Sequence, residues 1–479
     1  MGKIIGALAV IGLLVGWYFL WGIEFCKVFW MGLYPILPPV IAAIIVVAGV
    51  ITATVFRGWF GWVVAVMGTA AFIWFCVVLP YDTGHNYVES VQVTDDSPDT
   101  YAERAPYEVA LADAKANLQE SIGELQGTKS LAADGENGNW NSLVASREWQ
   151  SGYESVQVLD IPLFGTIKST DVSFCDFNPD HQLRFGGALP HNNLGRAIIQ
   201  ALPLSVTYDE GDAYAYCDDS GVPMIVAPLK DLTGFWGATW VAYGVAVYNG
   251  ETGELRILTD SDDIAKIPGP VYPLSLARDT LNAYQAGGDF WSWAQNRFGF
   301  ERASDNGEIS LRIEDTEDVA YVSALTPRGD SLSVVGLATV ENRTFTSGER
   351  NPVIIHTYSG GDVRMSNDTV EQNILSDYSY MPDWASGMRI FEIVPAGKDS
   401  WVASIGQAKS IVYRAYITPE GDAVLFDKNG NEVARVTSTT PDGTVTVPID
   451  SELDELTIQE LRELIDSALD ELESRTAAE

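Results

Sequence analysis

Three apolar runs open the chain, Ile4 to Leu20, Val40 to Phe56 and Trp59 to Leu79. In each of them hydrophobic residues cover the whole helical circumference rather than one stripe, which is the pattern of a segment without a watery face. About 17–25 such residues let a helix cross roughly 30 Å of hydrocarbon. The pattern predicts three transmembrane helices over residues 1–81, with Lys3, Glu24, Lys27 and Arg57 as the charges, all at span ends. Proline is tolerated in the first helical turn, so Pro35, Pro38 and Pro39 set the start of the second span near Pro39. The first run lacks a small-residue cleavage site and continues into Trp17, Tyr18, Phe19 and Trp21, so it reads as a retained span.

After Leu79 the texture changes. Residues 82–105 are polar and Asp-rich and read as a tether. Pro106 to Gln126 carries Val109, Leu111, Leu118, Ile122 and Leu125 at helical spacing, which predicts a helix and closes a tether-and-helix segment at 155. From about residue 156, short β-branched and aromatic runs alternate with Gly, Asp and Asn turn signals. The clearest hairpins join Ala213–Cys217 to Pro223–Leu229 and Thr239–Tyr248 to Leu255–Leu258, with helices at Asn192–Leu202 and Leu274–Phe298, the latter broken by Gly287 and Gly288. A weak repeat pairs Tyr321–Pro327-Arg328-Gly329-Asp330 with Tyr413–Pro419-Glu420-Gly421-Asp422, each a strand running into a Pro-x-Gly-Asp turn. The chain closes on an acidic amphipathic helix, Leu456 to Leu472, with Thr457 and Glu460 as a capping box. The expected architecture is a membrane-anchored α+β protein: anchor 1–81, tether and helix 82–155, an α+β unit 156–305, a β-rich unit 306–450 and the terminal helix 451–479.

Charge gives this frame a direction. Lys3 and Arg57 flank the ends expected inside by the positive-inside bias, which sends the C-terminal domain outward. The formal charge is −36, and residues 82–479 alone carry −38, with 64 of the 65 acids. Such a body repels nucleic acid and anionic lipid, so nucleic-acid binding is discarded; divalent cations and basic partners are attracted. No charge lies inside a span, so proton relay and ion-coupled transport have no residues to run on. Outside the membrane the cysteines are Cys175 and Cys217, each the other's available partner for a disulfide in an oxidising compartment.

Candidate chemistry is sparse. Asp209, Asp212, Asp218 and Asp219 gather around one hairpin and could offer oxygen ligands to a divalent cation, although the spacing is not that of a calcium loop. His181 and His191 lie near Cys175 without zinc-ligand spacing; a Cys-His catalytic pair would need geometry that the sequence does not supply. Phosphate-cradling, dinucleotide and hydrolase-elbow motifs are absent, and no cofactor is implied. Arg328-Gly329-Asp330 is accounted for as a turn. Phe235, Trp236, Trp240, Tyr243, Phe290, Trp291 and Trp293 could form core or a groove, and Gly234-Phe235-Trp236-Gly237 suggests an exposed or membrane-facing loop.

These features support an extracytoplasmic interaction or structural protein of a cell envelope or virion surface. The expected partners are the lipid bilayer and a protein or a second copy. The alternatives are an ectoenzyme, a carboxylate-based hydrolase using the acids near 209–219, and an accessory subunit of a larger membrane complex. The last would pack the small-residue face Gly61, Ala65, Gly68 and Thr69 on partner spans.

Overall fold

The computed structural model describes the chain from Lys27 to Thr446 except residues 28–29, 35, 56–57, 97–100, 102–103, 119–122, 132–138, 149–150, 161–164, 167–171, 188–191, 235–236, 304–308, 314–318, 330–332, 359–363, 366, 382–383, 385, 397–399, 408–409, 419–420, 428 and 437–444. The first predicted span, the acidic terminal helix, His191, Phe235 and Trp236 lie outside the described residues.

Two of the three expected spans are therefore seen as helices long and apolar enough to cross a membrane: α1 (Leu37–Val55) and α2 (Trp59–Val88). Pro38 and Pro39 sit in the first turn of α1, where a missing N–H costs nothing. The two helices form an antiparallel hairpin. Ala42, Gly49 and Ala53 of α1 are buried against Gly61, Ala65 and Gly68 of α2, while bulky residues such as Val66, 66% exposed, point outward. This arrangement inverts that of a soluble hairpin: small side chains inside let the backbones approach, and greasy ones face out. Gly61, Ala65 and Gly68 of the expected small-residue face are thus covered by α1, while Thr69 stays exposed.

The second helix does not stop at Leu79. Pro80 has no N–H to give the carbonyl four residues back, and the turn before it, Trp74–Val78, widens to π geometry before the helix continues to Val88. β1 (Val91–Thr94) then pairs in parallel with Val353–His356. Residues 82–94 are accordingly helix and strand rather than the expected tether, and Thr357 Oγ1 donates to Asp95 Oδ1 at 2.7 Å just beyond.

The helix α3 (Tyr107–Ala116) is shorter than the sequence predicts. Its apolar period carries on through Leu125, but Asn117 ends the helix and Leu125 belongs to a strand. β structure thus begins well before residue 156. A four-stranded antiparallel sheet is made of β2 (Gly123–Ser130), β3 (Asn139–Ser146), β4 (Tyr153–Asp160) and β6 (Val172–Asp176), in that order, and β5 (Gly165–Thr166) belongs to a later sheet.

After α4 (Leu194–Ala201) comes a five-stranded sheet of β7 (Val206–Tyr208), β8 (Tyr214–Cys217), β9 (Pro223–Thr233), β10 (Thr239–Asn249) and β11 (Leu255–Leu258). It contains both expected hairpins, with Tyr214 opposite Val226 and Val247 opposite Arg256. The helix at 274 breaks as its glycines suggest, into α5 (Leu274–Ala283) and α6 (Phe290–Ala294).

β12 (Phe300–Arg302), β13 (Ile309–Arg312), β14 (Val319–Pro327), β16 (Gly336–Glu341) and β17 (Val353–Thr357) join β1 in a six-stranded sheet; β15 (Ser333–Val334) pairs with β18 (Arg364–Met365). Beyond α7 (Asn367–Tyr378), a seven-stranded sheet runs β19 (Arg389–Ala396), β20 (Ser400–Gln407), β21 (Ser410–Ile417), β22 (Ala423–Asp427), β23 (Glu432–Val436) and β24 (Val445–Thr446), with β5 added beside β21. Gly421, at φ +89°, turns β21 into β22 as the repeat anticipates. The class is α+β; among the described strands the pairing is antiparallel except for β1 on β17.

The three largest cores among the described residues tie these sheets together. Leu143, Val156 and Ile198 pack the four-stranded sheet and α4 on Ile225 and Ala246 of the five-stranded one. Val226 and Val245 on the other face of the latter meet Leu276, Tyr321, Leu325 and Ile355, with Tyr87 of α2 in the same cluster. This core crosses the boundary expected at residue 305. The seven-stranded sheet packs on Val370, Ile374 and Tyr378 of α7.

Candidate functional site

A cleft of about 1060 Å³ opens where the four-, six- and seven-stranded sheets meet. Helix α3 spans it, because its buried face, Val109, Ala110 and Ala114, rests both on Trp140 and Leu159 of the four-stranded sheet and on Ile411 of the seven-stranded one. Glu108, Leu111 and Lys115 on its other side line the opening. Two of the walls are terminal strands: β2 is last in its sheet, β19 is last in its own, and Gly127–Ser130 and Arg389–Ile393 both face the cleft. Among the described residues no further strand covers either edge. Terminal strands present unpaired N–H and C=O groups, which is the chemistry that accepts an added strand.

A bulge sets the inner wall. Gln126 pairs with Leu143, but Lys129 pairs with Asn141, so Gly127 and Thr128 together oppose Ser142. Gly127 sits at φ +59°, the left-handed conformation that glycine adopts without a Cβ penalty. Side chains alternate along a strand, so the extra residue turns Lys129 onto the face of Asn141, which reaches the five-stranded sheet through Ala215 (Nδ2 to O, 3.1 Å). Without the bulge Lys129 would share the face of Trp140. Thr128 and Ser142 close the bulge with a hydroxyl pair at 2.8 Å.

There Lys129 meets Asp212 and Arg278, all three on the cleft wall. Asp212 is buried and is held by Ser275 at the start of α5, whose Oγ donates at 2.7 Å and whose N–H lies 3.2 Å away. Burial raises the Asp212 pKa, with Asp209 adding to the rise, while the Ser275 hydrogen bonds and Lys129 oppose it. Burial likewise lowers the Lys129 pKa, and the Arg278 charge acts in the same sense against Asp212. Lys129 therefore feels the Asp212 carboxylate and the Arg278 charge in opposite senses within a partly desolvated wall. Perturbed groups of this kind in a cleft mark functional sites.

The outer rim is already neutralised. Arg104 donates to Glu392 at 2.7 Å with its guanidinium 5.0 Å above the Trp140 ring, and Arg389 pairs with Glu108 at 3.2 Å. Among the described lining side chains, five are basic (Arg104, Lys115, Lys129, Arg278, Arg389) and four acidic (Glu108, Asp212, Glu371, Glu392). In a body of net −38 the described lining of the cleft is thus close to balanced in charge.

The four aspartates singled out as cation ligands do not converge. Asp209 Oδ1 accepts from Gly211 N at 2.9 Å, Asp212 turns inward to Ser275, Asp218 Oδ1 accepts from Ser220 N and Val222 N at 2.9 and 2.8 Å, and Asp219 is exposed at that hairpin's tip. Their carboxylates serve turns and a helix end, and among the described residues no three His, Cys, Asp or Glu gather to hold a metal. Cys175 and Cys217 are bridged, Cα to Cα 6.0 Å, linking β6 to the end of β8, so Cys175 offers His181 no thiol. Lys129 and Arg278 carry no sequence signal: a single lysine after Gly-Thr gains meaning only from the bulge and from α5 across the cleft. No protein-family model matches the chain, and no curated protein or solved structure matches it either, so the chemistry of the site rests on its own residues.

Proposed function

We propose that this protein is a membrane-anchored, extracytoplasmic interaction protein whose cleft receives an extended, carboxylate-bearing segment of a protein partner. The observation that carries this reading is the meeting of two strands, β2 and β19, that are terminal in their sheets among the described residues, with the Lys129 and Arg278 cations in one cleft. An added strand would take its main-chain hydrogen bonds from an edge and its side-chain selectivity from the charges beneath. The anchor is supported by the outward-facing apolar surface of α1 and α2, and the outward placement by the Cys175–Cys217 bridge, a bond that persists in oxidising compartments. Lys27, before α1, donates to the Ile199 and Leu202 carbonyls at the end of α4, which agrees with the first loop and the body sharing one side.

A photo-crosslinking side chain at Leu111, inside the cleft, tests the reading in membranes of the producing cells, with Leu204 on the exposed surface as control. The reading expects a discrete crosslinked partner from Leu111, absent from Leu204 and lost in the Lys129→Glu, Arg278→Glu double variant. Crosslinks that survive the charge reversal contradict it. A hydrolase reading draws on the raised pKa of Asp212, which suits a general acid; a partner crosslink unaffected by Asp212→Asn separates binding from that chemistry.

A further inference from the structure

Helix α2 is apolar from Trp59 to Leu79 and turns polar at Tyr81, Asp82 and Thr83, so an anchor of this length leaves the hydrocarbon near Tyr81. An aromatic cluster is fixed at that level. The Tyr81 ring meets Phe290 at 5.6 Å and Trp293 at 5.5 Å, both edge-on, and its hydroxyl donates to Gly288 O at 2.7 Å. His85, one turn on, contacts Ala286 O through Nδ1 at 3.1 Å. Gly84 faces the same segment so closely that a Cβ there would lie 2.7 Å from Ala286 Cβ. Gly237, in the β9–β10 turn, comes down beside Thr83 and Leu79 as well, since a Cβ on it would lie 3.0 Å from Thr83 Oγ1 and 3.7 Å from Leu79 Cδ1.

The aromatic segment is held in shape from within. Asp289 caps α6, its carboxylate accepting from Trp291 N at 2.9 Å, Ser292 N at 3.1 Å and Ser292 Oγ at 2.6 Å. Phe290 packs edge-on against Trp291 at 5.5 Å, yet Trp291 itself remains 70% exposed. Trp291 is continuous with the half-buried rings of Phe290 and Trp293, so the exposed surface is an aromatic patch rather than a lone side chain, and α6, Phe290–Ala294, carries no charge of its own. Amphipathic rings of this kind are favoured at headgroup depth.

We infer that α6, with Trp291 at its tip, seats in the lipid headgroup layer beside the point where α2 leaves the bilayer, so that the body rests on the membrane in one fixed orientation. The occupant of this surface is lipid, because the patch is continuous with the end of the proposed span and locked to it by Tyr81, Gly84 and His85. The inference rests on the anchor reading given above. With α2 running unbroken into the body, the wedge removes the remaining freedom to tilt and holds the cleft at a set height.

The test uses the full chain in phosphatidylcholine nanodiscs, with Cys26 and Cys76 replaced by Ala and a nitroxide placed in turn at Trp291→Cys, Val66→Cys and Leu204→Cys. Relaxation by oxygen, which concentrates in lipid, is compared with relaxation by a water-soluble nickel chelate. The inference expects an oxygen-to-nickel ratio at 291 several-fold above that at 204 and approaching that at 66. A lipid-like ratio at 66 with a water-like ratio at 291 overturns the inference alone. Water-like ratios at both positions overturn the anchor reading, and the wedge with it.

Discussion

The backbone N–H of Trp240 donates to the phenol oxygen of Tyr87 at 2.8 Å, joining the last turn of α2 to the start of β10 across 153 residues of sequence. Arg350 covers the same ring at 4.7 Å, and its guanidinium donates to the Asn86 and Trp240 carbonyls at 2.7 and 3.0 Å. The helix end is therefore part of the body's own core. Tyr87→Phe keeps the ring but leaves the Trp240 amide without its acceptor, a loss of about 1–3 kcal/mol. Denaturant unfolding of the detergent-solubilised chain should show it; an unchanged midpoint would mean that the contact carries no stability.

The bulge at Gly127 is the second point of leverage. Gly127→Val forces a β-branched residue into the left-handed region, at about 1–2 kcal/mol, and the relief available to the strand is to lose the extra residue. Lys129 then turns to the Trp140 face. The expected result is loss of the Leu111 crosslink with the fold retained, checked by circular dichroism alongside crosslinking. Retained crosslinking would separate the bulge from the site.

Titration gives an independent reading of Lys129. Its pKa is lowered on folding, chiefly by burial, so between the folded value and the ordinary lysine value the unfolded chain binds more protons and stability rises with pH. Below that window the cost of the buried charge is present in full. Lys129→Met should therefore be more stable than the parent at neutral pH, with the difference shrinking as pH climbs toward the lysine range. A difference independent of pH would show that Lys129 is not desolvated.

Asp212 carries the opposite sign. Its pKa is raised on folding, chiefly by burial, so its contribution to stability is full below the ordinary aspartate value and is lost as pH rises through the folded one. Asp212→Asn, which keeps an acceptor for Ser275, should lose that pH dependence and keep the hydrogen bond; a profile identical to the parent's would count against burial as the cause.

Reducing the Cys175–Cys217 bridge frees a separation of 42 residues and unties the four-stranded sheet from β8. The expected loss is about 2–4 kcal/mol, read as a lower melting temperature in reductant and reproduced by a Cys175→Ser, Cys217→Ser double variant. Equal melting temperatures with and without reductant would contradict it.

Local chemistry was legible in the chain and distant packing was not. The β8–β9 and β10–β11 hairpins follow from polar turns between β-branched runs, and the break between α5 and α6 from Gly287 and Gly288. Leu118, Ile122 and Leu125 misled, because apolar residues three and four apart fit a helix even where the last of them serves a strand. The polarity of Asp95 and Asp96 suggested a tether, yet Val91 and Val93 supply a strand that finds its partner some 260 residues later. The cleft was illegible for the same reason: Lys129, Arg278 and Arg389 come from three distant segments that only the packing of three sheets brings to one wall.

The most direct test of the whole account is alkaline carbonate extraction of membranes from cells making the full chain, since buried apolar helices resist a treatment that strips proteins held at the surface by charge. The account predicts that the chain remains in the membrane pellet and is released by detergent. Release into the carbonate supernatant, with α1 and α2 intact, would contradict it.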